Sequence, residues 1–480
     1  MDNEIKHWIG GQWERGGPQV TEPIINPATE VVLGVVRHAR AQEVDQAVTA
    51  ARQAWLKWRH TPVPRRARIL FAFQQLLVAH QEELAELITE ENGKTREDAR
   101  GEVQRGIENV EFAAGIPSLM MGQQLPDIAA GLESGVYRYP VGVVAAITPF
   151  NFPMMVPAWM FPMAIACGNT VVLKPSERTP LTANRLAELF AEAGLPSGVL
   201  NVVHGARDAV NALLTHPAVT AVSFVGSQAV AEYVYTTAAA HGKRVQALGG
   251  AKNHTVVLPD ADLDRAVDQI IKSAFGSAGE RCMATSVVVA VDPIGDDLVE
   301  RLVQAADRLV LGHGLDPQVT LGPVIRASHR ERIRSYIAAG IDSRATLARD
   351  GRRDPLPSTG YFLGPTIFDR VTEEMTIWQD EIFGPVLSVC RASNLEAAIA
   401  IANRSRYANG ACLFTDSAHA VRTFRETIDA GMLGVNIGVP APMAFFPFSG
   451  WKASFYGDLH ANGRHAIEFY TRQKVLTARY

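Results

Sequence analysis

The chain has 480 residues, which at roughly 150 residues per domain predicts about three domains or subdomains with large buried cores. Hydrophobic residues make up 47% and charged residues 20%, a composition typical of a globular protein that excludes intrinsic disorder. The 46 Lys and Arg residues against 50 Asp and Glu residues give a net charge of −4, which offers no basic face for nucleic acid and no polybasic membrane anchor.

The chain opens with short strands and turns, and an amphipathic helix is expected from Pro64 to the stop signal Asn92-Gly93. A second helix is expected over about 102–112. The segment 122–140, GQQLPDIAAGLESGVYRYP, is typical of an inserted hairpin. The amino terminus has neither an apolar signal core nor transit-peptide character, so a cytoplasmic setting is expected.

No charged residue occurs between Arg138 and Lys174. A run this long and apolar is a candidate membrane span, but it contains prolines at positions 149, 153, 157 and 162. Because prolines at that density disfavour a spanning helix, we expect buried strands and loops of a large core.

From Val141 onwards, β-branched runs alternate with helical ones, which is the pattern of βαβ units in a parallel sheet. One block ends with VTAVSFVGS and a second begins at HTVVL, so the boundary is expected near Gly249-Gly250. We therefore predict two α/β domains with a cleft between them, formed by residues 1–121 with 141–247 and by residues 248–452. Residues 122–140 and the strand-like C-terminal stretch within 453–480 are candidate edge strands for subunit pairing.

The cysteines are Cys167, Cys282, Cys390 and Cys412, and their spacing predicts neither a disulfide framework nor a metal site. Cys282 is the strongest candidate for chemistry, because it lies among small and polar residues in GSAGERCMATS. Arg281 precedes it, and a neighbouring cation favours a thiolate. On the sequence around it alone, a buried structural cysteine is the commoner alternative.

Several motifs occur in the order and approximate spacing of the aldehyde dehydrogenase superfamily, which the chain resembles from end to end. They are TPFNFP at 148–153, LKPSE at 173–177, FVGS at 224–227, the glycine pair at 249–250, GERC at 279–282 and EIFGPV at 381–386. RGIENVEFA at 105–113, GGAKNH at 249–254, GERCMA at 279–284 and FYGDLHANG at 455–463 resemble the CoA-acylating methylmalonate-semialdehyde dehydrogenases.

This resemblance implies an aldehyde dehydrogenase-like α/β fold. Residues 1–121 and 141–247 would form a Rossmann-type NAD-binding domain and residues 248–452 an α/β catalytic domain. Residues 122–140 would form a β-hairpin oligomerisation arm together with residues 453–480, which implies a homodimer or homotetramer.

The resemblance also implies a nucleophile and an oxyanion donor. Cys282 would attack the aldehyde carbon as a thiolate, giving a thiohemiacetal that delivers hydride to a nicotinamide. The Asn151 side-chain amide and the Cys282 backbone N–H would stabilise the oxyanion. On spacing alone, a turn-capping amide is an equal alternative for Asn151.

Two motifs are implied to bind the adenosine half of the cofactor. Lys174 and Glu177 would hold the ribose hydroxyls, and the Glu177 carboxylate would repel a 2′-phosphate, which favours NAD over NADP. Gly226 and Ser227 end a strand and open a helix, so their N–H groups would face the pyrophosphate. The alternatives are a solvated charge pair and a common strand–helix turn.

Phe150, Glu381 and Phe383 are also implied to bind the cofactor. The resemblance places the Glu381 carboxylate on the nicotinamide ribose and the Phe383 ring against the nicotinamide. An acidic loop with a core phenylalanine is the alternative for EIFGPV taken by itself.

Many superfamily members carry a glutamate in a Glu-Leu-Gly-Gly motif, which activates water to hydrolyse the thioester. The matching segment here is Ala247-Leu248-Gly249-Gly250, and no carboxylate occurs between Ala247 and Leu258. Water has a pKa of about 15.7 and a thiol one of roughly 8.5, so a thiol needs far less help as a nucleophile. CoA transfer is therefore favoured, and a carboxylate from elsewhere in the chain stays the open alternative.

The resemblance implies that Arg105 and Arg281 bind a substrate carboxylate. On spacing alone, Arg105 is a solvated helix charge. The predicted reaction is the NAD-dependent, CoA-acylating oxidation and decarboxylation of malonate or methylmalonate semialdehyde. The alternatives are a hydrolytic aldehyde dehydrogenase that releases a free acid and a non-catalytic structural or binding protein on the same fold.

Overall fold

A computed structural model describes residues 4–17 and 20–480, so residues 1–3 and 18–19 of the predicted first domain lie outside the described residues. The helices are α1 (Ala41–Trp58), α2 (Val63–Ala79), α3 (Gln81–Asn92), α4 (Arg96–Ala114), α5 (Ile116–Leu119), α6 (Met155–Ala166), α7 (Leu181–Glu192), α8 (Arg207–Thr215), α9 (Gln228–Ala240), α10 (Leu263–Phe275), α11 (Gly295–Ala306), α12 (Ala327–Asp342), α13 (Thr376–Gln379), α14 (Leu395–Asn403), α15 (Ala418–Thr427) and α16 (Gly463–Tyr470).

The strands are β1 (Glu4–Ile5), β2 (His7–Ile9), β3 (Gln12–Glu14), β4 (Thr21–Ile25), β5 (Val32–Arg37), β6 (Gln123–Ala129), β7 (Leu132–Pro140), β8 (Val143–Ile147), β9 (Thr170–Lys174), β10 (Leu200–Val202), β11 (Val219–Val225), β12 (Arg244–Leu248), β13 (Asn253–Val257), β14 (Thr285–Val291), β15 (Thr346–Arg349), β16 (Thr366–Asp369), β17 (Val386–Ala392), β18 (Tyr407–Ala408), β19 (Gly410–Phe414), β20 (Met432–Val435), β21 (Trp451–Lys452), β22 (Phe455–Tyr456) and β23 (Thr471–Arg479).

Two large sheets carry the fold. One has eight strands in the order β22-β12-β11-β8-β9-β10-β2-β3, and the other has seven in the order β15-β16-β17-β14-β13-β19-β20. The central strands of each sheet are parallel and buried, because helices cross over between them and cover both faces. The predicted α/β fold with two alternating blocks is confirmed.

The chain passes from the first sheet to the second between Leu248, which ends β12, and Asn253, which starts β13. The predicted boundary at Gly249-Gly250 lies in this crossing. The division of the chain into domains at the predicted boundaries stays a prediction.

A third sheet, in the order β23-β7-β6, is largely exposed. β23 pairs antiparallel with β7 from Thr471↔Pro140 to Arg479↔Leu132. The expectation of a strand from residue 466 onwards is wrong for residues 466–470, which belong to α16. These residues bury apolar side chains in the core of the first sheet, and the buried positions follow a helical spacing.

The uncharged run between Arg138 and Lys174 forms β8, α6 and β9, and nearly all of it is buried. The expectation of strands and loops alone is therefore wrong for residues 155–166. Pro157 is tolerated in the first turn of α6 and Pro162 lies inside the helix. At 12 residues, α6 spans roughly 18 Å, and no helix within residues 4–17 and 20–480 is long and apolar enough to cross a membrane.

The early helices differ in extent from the prediction. The helix expected from Pro64 is two helices, α2 and α3, because His80 leaves helical geometry between them at φ −104° and ψ 18°. The helix expected over 102–112 begins earlier, at Arg96, because the Thr95 hydroxyl accepts a hydrogen bond from the Asp98 N–H at 3.2 Å and caps it. The added turn carries Asp98, which pairs with Arg281.

Candidate active site

Cys282 lies in the turn that leads into β14, between the two large sheets. The turn is held by two asparagines, since the Cys282 carbonyl accepts hydrogen bonds from Asn253 Nδ2 at 2.9 Å and from Asn409 Nδ2 at 3.0 Å. Asn253 lies in the quoted motif GGAKNH, whereas no motif pointed to Asn409. Both amides fix the backbone of the predicted nucleophile.

Burial controls the ionisation of Cys282. Burial, followed by the negative charge of Glu381, raises the pKa of the Cys282 thiol to about 12. The Arg281 charge acts in the opposite direction and is outweighed. The Arg281 charge thus acts in the predicted direction, and Arg281 is itself paired with Asp98 at 2.5 Å.

We expect iodoacetamide to alkylate Cys282 at a rate that rises about tenfold per pH unit from about pH 7 to about pH 10, because only the thiolate reacts. The sign follows from a pKa raised above this range, so the thiolate fraction increases throughout it. Cys167, Cys390 and Cys412 are buried and serve as internal controls that stay unmodified. Peptide mapping by mass spectrometry measures both, and a rate that levels off below pH 9 would contradict the prediction.

Asn151 lies beside the nucleophile turn. Its Nδ2 donates a hydrogen bond to the Glu280 carbonyl at 2.9 Å, two residues before Cys282. Its own carbonyl accepts a hydrogen bond from Lys94 Nζ at 2.6 Å. The structure therefore brings the predicted oxyanion donor next to the predicted nucleophile.

A buried ion pair supports the Asn151 segment. Lys94 Nζ lies 2.6 Å from Glu102 Oε2, with side chains 1% and 0% exposed. The other Glu102 oxygen accepts the N–H groups of Met154 at 2.8 Å and Met155 at 3.1 Å, which caps the start of α6. No motif marks this pair in the sequence, because the lysine and the glutamate are eight positions apart.

Lys174 and Glu177 lie together at the end of β9, as predicted from their spacing. Lys174 Nζ donates to Glu177 Oε2 at 3.3 Å and to the Gly205 carbonyl at 2.7 Å. Burial lowers the pKa of Lys174, and the Glu177 charge opposes this. Burial alone would raise the pKa of Glu177, but the Lys174 charge, a backbone hydrogen bond and the Arg178 charge together hold that pKa below its ordinary value.

Gly226 and Ser227 connect β11 to α9, which begins at Gln228. A Cβ atom on Gly226 would lie 2.4 Å from the Phe224 ring, so the site requires glycine. The Gly226 N–H is taken by the Leu248 carbonyl at 3.1 Å, whereas Ser227 and the first N–H groups of α9 lie at the carboxyl end of a parallel strand. This cradle fits a pyrophosphate, the central part of a dinucleotide.

The loop that carries Glu381 and Phe383 is fixed by hydrogen bonds from side chains of α12. Phe383 has a positive φ of 59°, and its carbonyl contacts His329 Nε2 at 2.6 Å. Arg332 donates to the carbonyls of Ile382 at 3.0 Å and Glu381 at 2.9 Å. Phe383 meets the Phe150 ring edge-on at 6.0 Å, so both predicted aromatic residues lie together.

Glu381 also contacts the glycine pair. Its Oε1 accepts the Ala251 N–H at 2.9 Å, and a Cβ atom on Gly250 would lie 2.7 Å from Oε2. Burial raises the pKa of Glu381 to about 7. Glu381 and Cys282 line one small cavity, so the predicted ribose carboxylate adjoins the predicted nucleophile.

A second cavity, of about 410 Å³, opens on the other side of Cys282 and is lined by both Arg105 and Arg281. Arg105 Nη1 lies 3.1 Å from Glu108 and 2.8 Å from the Met443 sulfur. The two arginines are thus brought together from α4 and from the nucleophile turn. Ala247, by contrast, is fully buried in the core of the first sheet and lines neither cavity.

A sequence profile of the aldehyde dehydrogenase family matches residues 13–476. The chain belongs to this family. A curated relative of this aldehyde dehydrogenase, malonate-semialdehyde dehydrogenase 2 of Geobacillus thermodenitrificans, is 70% identical over 99% of both chains. A malonate-semialdehyde dehydrogenase of Halalkalibacterium halodurans is 65% identical over 99% of this chain and 98% of the relative.

Solved structures agree with this aldehyde dehydrogenase fold. The methylmalonate-semialdehyde dehydrogenase of Oceanimonas doudoroffii is 49% identical and superposes with a TM-score of 0.98, covering 100% of this chain and 99% of that one. A Sinorhizobium meliloti protein solved with NAD is 47% identical, with a TM-score of 0.98 and coverage of 100% and 98%. Within the described part of this aldehyde dehydrogenase, no group of three or more His, Cys, Asp and Glu side chains is placed to hold a metal ion.

Proposed function

We propose that this aldehyde dehydrogenase oxidises malonate or methylmalonate semialdehyde with NAD and passes the decarboxylated acyl group to CoA. The observation that carries the proposal is the single cavity of about 410 Å³ lined by Cys282, Arg105 and Arg281. An aldehyde that also bears a carboxylate suits this cavity, since the thiol meets its carbonyl carbon and the guanidinium groups meet its charge. The names of the similar semialdehyde dehydrogenases support the same substrate class.

In the first step, Cys282 Sγ loses its proton and attacks the aldehyde carbon, and the carbonyl electron pair moves to oxygen. Ionising a thiol with a pKa of about 12 is the costly part of this step. One N–H of Asn151 Nδ2 is engaged by the Glu280 carbonyl, which leaves its second N–H to join the Cys282 N–H at the oxyanion. Each such donor contributes about 10²–10³-fold in rate.

The cofactor would be held along the carboxyl ends of the first sheet. Lys174 and Glu177 would bind the adenosine ribose. The Ser227 N–H and the first N–H groups of α9, next to Gly226, would bind the pyrophosphate. Phe150, Glu381 and Phe383 would bind the nicotinamide half. When bound, NAD accepts the hydride from the former aldehyde carbon.

Hydride loss leaves a Cys282 thioester that bears a carboxylate on its α-carbon, in the β position to the thioester carbonyl. The bond to that carboxylate breaks, CO2 leaves, and the electron pair moves onto the thioester oxygen as an enolate. The oxyanion donors stabilise this enolate as well, and its carbon then takes up a proton. The CoA thiol next attacks the thioester carbonyl, and the bond to Cys282 Sγ breaks to release acetyl-CoA or propionyl-CoA.

Thioester hydrolysis needs a carboxylate to activate water. The carboxylates that line the interior of the substrate cavity are each paired with a cationic side chain. Asp98 pairs with Arg281, Glu102 with Lys94 and Glu108 with Arg105. The remaining lining carboxylate, Glu97, is exposed at the mouth. A thiol attacks without a strong base, so transfer to CoA is favoured.

Initial rates of NADH formation from both semialdehydes, with and without CoA, test the proposal, together with mass spectrometry of the products. We expect sustained turnover only with CoA, and acyl-CoA with CO2 as the products. Equal turnover without CoA that yields a free acid would overturn CoA transfer, and would support a hydrolytic enzyme instead.

Arg105→Ala is expected to raise the Michaelis constant for the semialdehyde by about 10- to 100-fold with a smaller effect on kcat, because a charged hydrogen bond to substrate is worth about 1.5–3 kcal/mol. Arg100→Ala is the matched control, since Arg100 lies on the same helix and pairs with exposed Glu82 outside the cavity. Steady-state kinetics on both variants measure the effect. An unchanged Michaelis constant in Arg105→Ala would remove Arg105 from substrate recognition.

The assembly we propose is a homodimer or homotetramer in the cytoplasm. The sheet of β6, β7 and β23 exposes large apolar side chains, among them Leu125, Val475 and Leu476 at 63%, 68% and 50%. Such a surface on a sheet with two open edges suits pairing with a second copy. Sedimentation velocity measures the state, and a monomer at micromolar concentration would contradict it.

A further inference from the structure

Asp98 joins two parts of the cleft that are far apart in the sequence. Its Oδ1 lies 2.5 Å from Arg281 Nη2. Its Oδ2 accepts the backbone N–H of Ser277 at 2.9 Å and the Ser277 hydroxyl at 3.2 Å. A single carboxylate at the start of α4 thus holds both an arginine of the substrate cavity and the turn that leads to Cys282.

That turn is strained. Ser277, Ala278 and Gly279 have consecutive positive φ values of 50°, 53° and 73°. Left-handed backbone in a non-glycine residue costs about 1–3 kcal/mol and persists only where the surroundings fix it. The two hydrogen bonds from Ser277 to Asp98 supply such a constraint on the chain four residues before Arg281 and five before Cys282.

The Arg281 guanidinium is fixed as well. Its Nε donates to Ser277 Oγ at 3.2 Å and its Nη1 to the Lys272 carbonyl at 3.4 Å, while Nη2 is taken by Asp98. A Cβ atom on Gly276 would lie 2.6 Å from Nη1, so the guanidinium stacks closely on glycine backbone. Of the five N–H groups, these contacts use three, which leaves one on each terminal nitrogen for a two-point contact.

We propose, on the basis of the function proposed above, that Asp98 is a specificity-determining positioning residue that presets Arg281 to receive the substrate carboxylate. Asp98 itself does not bind the substrate. It fixes the rotation of the guanidinium so that the two remaining N–H groups form a fork at the cavity. Preorganising this fork before binding removes the cost of ordering a long side chain when the substrate enters.

The electrostatics agree with this arrangement. Burial alone would raise the pKa of Asp98, but the charges of Arg281 and Lys94 hold it below its ordinary value, so the carboxylate stays ionised. Both partners are shielded, with side chains 21% and 19% exposed. A charged pair in such a position holds its geometry better than one on the open surface.

The test compares each variant on malonate semialdehyde and on propanal, an aldehyde of the same carbon number without the carboxylate. We expect Asp98→Asn to lower the ratio of kcat/KM for the semialdehyde over propanal by at least about tenfold, because Arg281 loses its charged anchor. A general structural defect would lower kcat/KM for both substrates equally and leave their ratio unchanged. An unchanged or raised ratio would overturn the proposal.

Arg281→Met separates this proposal from the proposed function. If Arg281→Met leaves the ratio unchanged, Arg281 does not recognise the carboxylate and the proposed substrate site is wrong. If Arg281→Met lowers the ratio and Asp98→Asn does not, only the role of Asp98 is wrong. The double variant is expected to show no lower ratio than Arg281→Met alone, and a further drop would mean that Asp98 acts independently of Arg281.

Asp98→Glu covers the case in which Asp98→Asn does not fold. This variant keeps the charge and moves it by one methylene, so it should displace the guanidinium and lower the ratio less than removal of the charge does. A wild-type ratio in folded Asp98→Glu together with a wild-type affinity for the semialdehyde would overturn the positioning role.

Discussion

Cys282→Ala is expected to lower aldehyde oxidation by about 10⁵-fold or more, because no thioester can form without the nucleophile and the remaining groups supply binding alone. NAD binding should be retained, since the residues that would hold the cofactor belong to other segments and the Cys282 turn is fixed through its backbone carbonyl. Stopped-flow measurement of NADH formation tests the rate, and calorimetric titration with NAD tests the binding.

Cys412→Ala is the matched control for this prediction. Cys412 is another free cysteine, but it is buried in β19 within the second sheet and lines neither cavity beside Cys282. We expect this variant to keep its activity. If Cys282→Ala oxidised aldehyde at an appreciable rate, or if Cys412→Ala lost it, the assignment of the nucleophile would be wrong.

Lys94→Met is expected to lower the free energy of unfolding by about 3–5 kcal/mol, because it leaves the Glu102 carboxylate buried without its partner. The pair is almost fully shielded from solvent and also holds the Asn151 carbonyl, so water cannot replace the ammonium. The urea midpoint of unfolding, followed by circular dichroism, measures the loss.

Two variants sharpen this second prediction. Arg100→Met breaks an exposed pair between Arg100 on α4 and Glu82 on α3 and should cost less than about 1 kcal/mol. The double variant Lys94→Met/Glu102→Gln should recover part of the loss, because no unpaired charge then remains buried. If Lys94→Met were no more destabilising than Arg100→Met, the buried pair would have no structural role.

The positions of residues in short motifs at strand ends could be predicted from the sequence. Lys174 with Glu177 and Gly226 with Ser227 lie where they were expected, because the carboxyl end of a parallel strand must open into the cleft. The alternating strands and helices were also predictable, since they follow from hydrophobic periodicity alone.

The residues that hold the motifs in place could not be predicted. Asp98 and Arg281 are 183 positions apart, and Asn409 meets the Cys282 carbonyl across 127 positions. No local pattern marks such pairs, because they arise only when segments far apart in the sequence pack together. The helix α6 was missed for a different reason: its apolar side chains cover every face, so it has no amphipathic period, and its prolines suggested a loop.

The pairing of β23 with β7 has a consequence for the timing of synthesis. β7 ends at Pro140 and its partner strand begins only at Thr471, close to the end of the chain. At about 5–20 residues per second, a ribosome needs roughly 15–70 s to make the intervening segment. During that interval β7 has no neighbouring strand on the edge opposite β6. β12 likewise has no neighbour on the edge opposite β11 until β22 has been made. A chain that ends before β22 therefore closes neither edge.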